Sequence, residues 1–501
     1  MAAGEHMKNT LETMDRAAPV AVAMGARAET SNEGGSFSPD QLKRAVDSTN
    51  ADDPVYVRIA MALADLISAG GLKSKERLPS HRFLAQALGV NLTTVTKSFK
   101  YLKERGMVSA QVGRGTAVRG RELDHIAPTY ERLQALPRLD LSVLKRHGAV
   151  YEELVGQSLK EVAAEPGNLA ELAEYHQAAG TVAARETAMQ WFASSGVPVD
   201  AEETAVTAGA QHALFLALSA TMKAGDIVLV PSLAYQGVKM AAQILGLGLI
   251  PVDIDAGGLR PDELERHASN PRVKSIFVAP TLDNPTSTTL SLARRQEIVR
   301  IATRHSLTVI EDEVYRPLAR EHLPSIRELY RNGTFHISSL AKVIAPGLRC
   351  GFMAFPQAFR PAIVRALRAS MWMAEPLAVR LAGRLVETGR HRLIIEELRQ
   401  QLTSRHQAAL MQLGAHLRPG EPEGNCLWVN LPPHLPSAGF TDYLRGEGIG
   451  AAPADTFVTG DSRHNGVRLY KGSVASDADW LDAVATIRRC IESPRQGHDV
   501  V

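Results

Sequence analysis

The sequence predicts an α/β protein in two unequal parts: a small helical module closed by a Gly-rich hairpin, then a large domain on a mostly parallel central sheet. Three observations predict this. Five β-rich apolar runs alternate with amphipathic helical stretches: IVLVP at 227–231, LIPVD at 250–254, SIFVAP at 275–280, LTVIED at 307–312 and TFHIS at 334–338. Strands interleaved with helices form parallel sheets covered on both faces. Upstream, residues 54–120 carry eleven Lys and Arg against three Asp and Glu, a balance of +8; the chain's net charge is +2, so the remainder sums to −6. Finally, SSLAKVIAPGLRCG at 338–351 sets a lysine in a short polar turn directly after the last of those strands.

The 501 residues suffice for two or three domains. With 45% hydrophobic and 22% charged residues there is ample core material. Cys350, Cys426 and Cys490 are widely spaced and odd in number. They suggest neither a disulfide framework nor a zinc site, which fits a reducing cytoplasm. The longest apolar runs, such as 241–252, are too short to span a bilayer, and the N-terminal stretch with Glu5, Glu12 and Asp15 does not read as a signal peptide. Residues 1–52 are rich in Ala, Glu, Ser and Gly and are expected to form a mobile arm. Residues 53–120 form the basic module. Residues 121–165 are expected to be a linker, with Pro128 and Pro137 breaking any long helix. The large domain is expected over 166–495.

Within the basic module, Tyr56, Ile59, Leu63, Leu66 and Ile67 lie at helical spacing and form one apolar stripe. Ser80 can cap a second helix carrying Leu84 and Leu88, which Gly89 ends. Asn91 can cap a third, with Val95, Phe99 and Leu102 facing inward and Thr93, Thr94, Thr96, Lys97 and Lys100 outward. Two short helices joined by a tight turn make a helix-turn-helix, whose last helix enters the major groove of DNA. MVSAQVGRGTAV then reads as a wing, in which Gly113 and Gly115 turn the chain and Arg114 reaches phosphate or the minor groove. A winged helix used only for protein contact is the competing reading; the charge and the polar face weigh against it. RLPSHRFLAQALGVNLTTVTKSFKYLKERG followed by GRGTAV resembles the winged helix of GntR-type bacterial regulators. That resemblance implies contacts from Arg82, Thr93, Thr94 and Arg114 to double-stranded DNA; helix geometry adds Lys97 and Lys100.

In the large domain, Lys342 follows a strand and can reach a ligand at the sheet's carboxyl end. To attack an aldehyde its amine must be neutral, so an apolar or cation-lined site that lowers its pKa is expected. Arg349 can fork onto a phosphate and Ser339 can donate to it. Taken alone this is weak, because most lysines are solvated surface charges. Five further signals accompany it. Asp312 ends a strand, where a buried acid needs a partner such as a pyridinium N–H, although a helix cap is the commoner explanation; Tyr315 follows three residues later. Asn284 precedes Pro285 in a turn, and its amide can donate to a phenolic oxygen. Gly209, Ala210 and Gln211 open a helix whose backbone N–H groups suit a phosphate. Tyr235 follows a strand and can stack on a ring. Arg468 lies in a late strand and can fork onto a carboxylate. Each also has an ordinary packing or surface explanation, but all five fall in or just after strands.

Together, over about 168–491, these residues resemble the fold-type I aminotransferases. The runs KVIAPGLRCG, TAGAQHAL and NCLWVNLP are most similar to the MocR branch, in which a GntR winged helix is joined to an aminotransferase-like domain. The resemblance implies pyridoxal 5′-phosphate as cofactor, held by Lys342 as a Schiff base. It places Asp312 at the pyridine nitrogen, Asn284 and Tyr315 at the phenolic oxygen, Arg349 and Ser339 at the phosphate, Tyr235 on the ring face and Arg468 on a substrate carboxylate. It also implies a homodimer. Two positions depart from the pattern: Ser287 replaces the usual glycine of Asn-Pro-Thr-Gly, and Ala341 stands where many MocR proteins have serine before the lysine. The leading expectation is a transcriptional regulator that senses an amino compound through an external aldimine at this site. A working aminotransferase with an appended DNA-binding domain is the alternative, since all the residues for transamination are present. A purely structural, cofactor-free domain is a third reading; three charged groups in an empty cleft would make it expensive.

Overall fold

The computed structural model describes residues 39–47, 54–68, 76–104, 108–111, 115–118, 137–165, 167, 172–460, 462 and 464–492. The chain divides into two compact units, 1–122 and 123–501.

Among the described residues the first unit has four helices, α1 (Pro39–Asp47), α2 (Val55–Ser68), α3 (His81–Leu88) and α4 (Leu92–Glu104), then the antiparallel pair β1 (Val108–Gln111) and β2 (Gly115–Val118). Leu42, Val46, Ile59, Leu63, Leu84, Val95, Phe99 and Leu102 are buried together in one core. Burial removes apolar surface from water, and a fully buried Leu, Ile, Val or Phe contributes roughly 1.5–3 kcal/mol. The Ser80 hydroxyl accepts from the Phe83 N–H at 3.3 Å, and α3 ends at Gly89 with φ 66°. Asn91 Oδ1 accepts from the Thr93 N–H at 3.0 Å and opens α4. One expectation is corrected. The segment 1–52, read as a mobile arm, includes α1, which is docked by Leu42 and Val46. These two sit one helical turn apart, so they fall on the same face.

The second unit is built on a seven-stranded sheet in the order β4-β12-β11-β10-β9-β5-β6. Its strands are β4 (Thr204–Thr207), β5 (Ile227–Pro231), β6 (Gly248–Val252), β9 (Val273–Val278), β10 (Thr308–Asp312), β11 (Thr334–Ser339) and β12 (Gly351–Ala354). All five runs read from the sequence lie in this sheet. Pairings among β6, β5, β9, β10 and β11 are parallel, and β12 runs antiparallel to both β11 and β4. The fold is therefore a mostly parallel α/β sheet, as expected. Clusters of buried apolar side chains cover both its faces: Trp191, Phe192 and Phe352 pack in one and Phe277, Phe335 and Phe355 in another. A smaller sheet, β13-β16-β15, is formed by β13 (Cys426–Asn430), β15 (Ala452–Pro453) and β16 (Gly466–Tyr470).

The expected linker is also corrected. Within 121–165, β3 (Leu139–Asp140) pairs with β14 (Ile449–Gly450), and α5 (Ala149–Ala164) buries Val155, Ser158 and Val162 in the second unit. A proline restricts only its immediate neighbourhood. Pro128 and Pro137 lie too far upstream to affect α5. Among the described residues, no helix is long and apolar enough to cross a membrane.

Candidate functional site

The carboxyl ends of β9, β10 and β11 bring the chemistry together, because parallel strands present their following loops at one sheet edge. The turn after β9 carries Asn284, buried to 6% exposure. Its amide oxygen accepts from the Cys426 thiol at 3.5 Å, which leaves the NH₂ end to donate elsewhere. Asp312 ends β10; its carboxylate accepts from the Val314 N–H at 3.3 Å. Burial pushes this acid up to about 6, while Lys342 and His336 pull it down. Tyr315 is buried, and its hydroxyl lies 3.4 Å from that of Tyr470. Burial holds the Tyr315 phenol well above its usual value.

Ser339 ends β11 and Lys342 follows it. Ser339 is fully buried, and among the described residues its hydroxyl has no hydrogen-bond partner. Lys342 Nζ lies 6.0 Å from the centre of the Tyr470 ring. The sequence led us to expect a lowered amine pKa here, and the structure has it raised. Burial does pull it down, but the phenols of Tyr470 and Tyr235 push it up and prevail; Arg468 opposes them. Beneath this turn, the Trp191 indole donates to Ser338 at 2.9 Å. Tyr235 opens a helix after β5; burial raises its phenol and Lys342 opposes.

The helix Ala210–Thr221 begins after β4 with no side chain capping it. Its N-cap, Gly209, has φ 84°, and a Cβ there would stand 2.8 Å from Arg349 Nη2. The backbone angle requires glycine; a side chain there would also displace the Arg349 guanidinium from its place. The Arg349 guanidinium donates to Ala208 O at 3.0 Å. The Gln211 amide nitrogen donates to Gly237 O at 3.0 Å, and its amide oxygen is enclosed without a partner among the described residues. An uncapped helix start, an arginine and a buried unpaired hydroxyl form a cup for an anion. A buried acid at a strand tip suits a protonated ring nitrogen. These residues fit pyridoxal phosphate.

Reasoning on the sequence missed two residues of this site. Tyr470 stands two positions after Arg468 on β16, and alternate strand residues share a face; that spacing was the available signal. Cys426 faces Tyr470 across the β13–β16 ladder. Arg468, only 3% exposed, donates to Ser142 O at 2.6 Å. The departure at Ser287 is also accounted for. Its backbone keeps the left-handed conformation, φ 55°. Its hydroxyl donates to Cys426 O at 2.7 Å and accepts from the Cys426 N–H at 3.1 Å. Serine thus holds a glycine-like turn and ties it to β13. Ser287→Ala is expected to cost about 1–3 kcal/mol, because two buried backbone groups lose a partner. Ser287→Gly should recover part of this, since a left-handed non-glycine residue costs roughly 1–2 kcal/mol. Denaturant midpoints decide; an alanine variant within a few tenths of wild type refutes the tie.

In the first unit Arg82, Thr93, Lys97 and Lys100 are exposed and Thr94 is half-buried. Thr93 hydroxyl donates to Asn91 Oδ1 at 3.0 Å, and Thr96 hydroxyl donates to Leu92 O at 2.9 Å. Thr93 therefore has only its lone pairs left for DNA. Arg114 lies outside the described residues.

The fold and site define an aminotransferase-like domain of the pyridoxal-phosphate type, preceded by a winged helix. Residues 150–466 match the family described as "Aminotransferase class I and II", and residues 55–118 match "Bacterial regulatory proteins, gntR family". The chain belongs to the class I and II aminotransferase family and has the MocR-type arrangement of a regulator. It is 28% identical over 426 residues to the HTH-type transcriptional regulator YdeF of Bacillus subtilis, covering 85% of this chain and 91% of that one. It is 27% identical over 349 residues to the probable rhizopine catabolism regulatory protein MocR of Rhizobium meliloti, covering 61% and 66%. The crystal structure of LysN, an α-aminoadipate aminotransferase from Thermus thermophilus complexed with N-(5′-phosphopyridoxyl)-L-leucine, superposes with a TM-score of 0.64. That match has 23% identity and covers 78% of this chain and 96% of the other.

Proposed function

We propose that this chain is an effector-responsive transcriptional regulator. Its winged helix binds promoter DNA, and its pyridoxal phosphate site takes up an amino compound. The observation that carries this is the convergence of Asn284, Asp312, Tyr315, Ser339 and Lys342 at one sheet edge, on a chain that also presents an exposed polar and basic face on α4. When bound, pyridoxal phosphate supplies an aldehyde that condenses with primary amines and a ring that withdraws electrons. Lys342 Nζ is the group that would hold the aldehyde carbon, in competition with an amine ligand. As a free amine it lies beside the Tyr470 ring, within the influence of the Tyr470 and Tyr235 phenols, where it can hold or move a proton. Asp312 accepts from the ring N–H. Asn284 and Tyr315 donate to the phenolic oxygen. Ser339, Arg349 and the amides of Gly209, Ala210 and Gln211 hold the phosphate. Tyr235 covers the ring. Arg468 takes the carboxylate of the effector.

The working state is a homodimer. What supports this, besides the family, is the exposed aromatic pair Tyr175 and Trp372, with ring centres 5.9 Å apart, since exposed apolar patches mark contact surfaces.

An effector moves the DNA equilibrium only by its different affinity for two conformations, and the coupling is reciprocal. An amine that shifts the cofactor's visible band should therefore change promoter affinity by about 5–150-fold, the usual range of such coupling. Fluorescence anisotropy on promoter and random DNA checks this; equal affinity with and without every amine that shifts the band sinks the sensing claim. The same set of groups favours a second reading, a working aminotransferase. Turnover at about 1 s⁻¹ or more would put that reading first.

A further inference from the structure

We propose that Tyr470 sets which amino compounds this site accepts, acting as a positioning residue that holds the Arg468 guanidinium for a carboxylate. The inference rests on the reading of the site given above. Arg468 Cζ lies 3.6 Å from the centre of the Tyr470 ring and 5.1 Å from that of Phe457. At 3.6 Å the guanidinium is packed against the ring face, and a parallel stack is the arrangement that keeps its N–H groups clear of the ring. Stacking in that manner leaves its N–H edge for acceptors in its own plane. One donor, Nη2, is taken by Ser142 O at 2.6 Å. Another, Nε, is enclosed and has no hydrogen-bond partner among the described residues. A buried cationic N–H without an acceptor is costly. A ligand oxygen lying in the guanidinium plane supplies one.

Tyr470 also reaches the other end of the site. Its ring centre is 6.0 Å from Lys342 Nζ, and its hydroxyl is 3.4 Å from that of Tyr315. The same side chain therefore borders the point where an amine must arrive and the point where a carboxylate must be held. The chemical class favoured is an amino acid with its carboxylate on the carbon next to the amine, over an amine that lacks one. Tyr470 acts on the carboxylate through Arg468, so its removal should cost an amino acid more than an amine that lacks a carboxylate.

Glycine and methylamine test this, because they differ by the carboxylate alone. The full-length protein loaded with pyridoxal phosphate is titrated with each, and the visible spectrum gives the half-saturating concentration. Wild type should take glycine at a concentration at least about tenfold below methylamine, as a charge-assisted bidentate pair requires. In Tyr470→Ala the ratio of the glycine to the methylamine value should rise about tenfold or more, because losing the phenol beside Lys342 acts on both probes alike and cancels in the ratio. Tyr470→Phe keeps the ring and should keep the preference. Tyr470→Leu, which fills the buried position without a stacking face, should behave as the alanine variant if the latter folds poorly. In an Arg468→Lys background the Tyr470→Ala change should have no further effect on that ratio. Equal shifts for both probes, no shift for either, or loss of the preference in the phenylalanine variant overturns the assignment. Absence of any cofactor band in wild type would instead overturn the site reading beneath it.

Discussion

Replacing Lys342 with alanine removes the visible band of the bound cofactor and the spectral response to primary amines. The loss is complete rather than partial, because among the described residues no other lysine lies on the segments that directly follow β9, β10 and β11. Lys471, three residues after Arg468 and just past the end of β16, is committed elsewhere: its ammonium donates to Pro422 O at 2.5 Å. Burial also lowers its pKa to about 7. The phosphate cup formed by Arg349, Ser339 and the start of the helix Ala210–Thr221 is untouched by this change, so the variant should still bind pyridoxal phosphate reversibly. Lys342→Arg separates charge from chemistry. It keeps a cation but cannot become a neutral nucleophile, and it should match the alanine variant. Borohydride reduction followed by peptide mass spectrometry locates the linkage. A reduced adduct on a peptide without Lys342, or an unchanged band in the alanine variant, refutes the assignment.

The second large effect concerns DNA. Lys97→Ala and Lys100→Ala should each lower the slope of log affinity against log salt by about 1, because each contacted phosphate releases counterions. Both should weaken promoter and random DNA alike. Arg82→Ala and Thr94→Val should act differently if they touch bases, reducing discrimination between sites by about 1–3 kcal/mol. For Thr94→Val the salt slope should stay at the wild-type value. Thr93→Val carries a second cost, since it removes a hydroxyl that helps cap α4; its stability has to be measured beside its affinity. Titrations at several salt concentrations on both DNAs check this. Lysine variants with unchanged slopes would remove α4 from the interface.

Much of this was legible in the sequence, for physical reasons. β5, β6, β9, β10 and β11 are apolar runs long enough to stand out, because strands buried on both faces carry no polar alternation. β4 (TAVT) and β12 (GFMA) are four residues each, too short to separate from a buried turn. The helix α1 has only Leu42 and Val46 to mark its buried face, amid charged neighbours. The cofactor side of the site was readable because its residues lie at the end of a strand or in the turn after one. The Arg468 side was only half readable. Arg468 could be seen as a fork for a carboxylate and Tyr470 shares its strand face, but Cys426 joins the site through the β13–β16 pairing, which is a register between segments about 40 residues apart. No local pattern encodes such a register.

The tie at Ser287 restricts how this sequence can drift. A Cβ at Gly424 would stand 2.4 Å from the Ser287 hydroxyl. Any side chain at 424 would therefore collide with the group that bridges to Cys426. Serine at 287 and glycine at 424 form an epistatic pair: the first change must be at 287, to glycine, before 424 can accept even alanine. In a saturation library the two positions should show this order, with 424 intolerant on the native background and permissive once 287 is glycine.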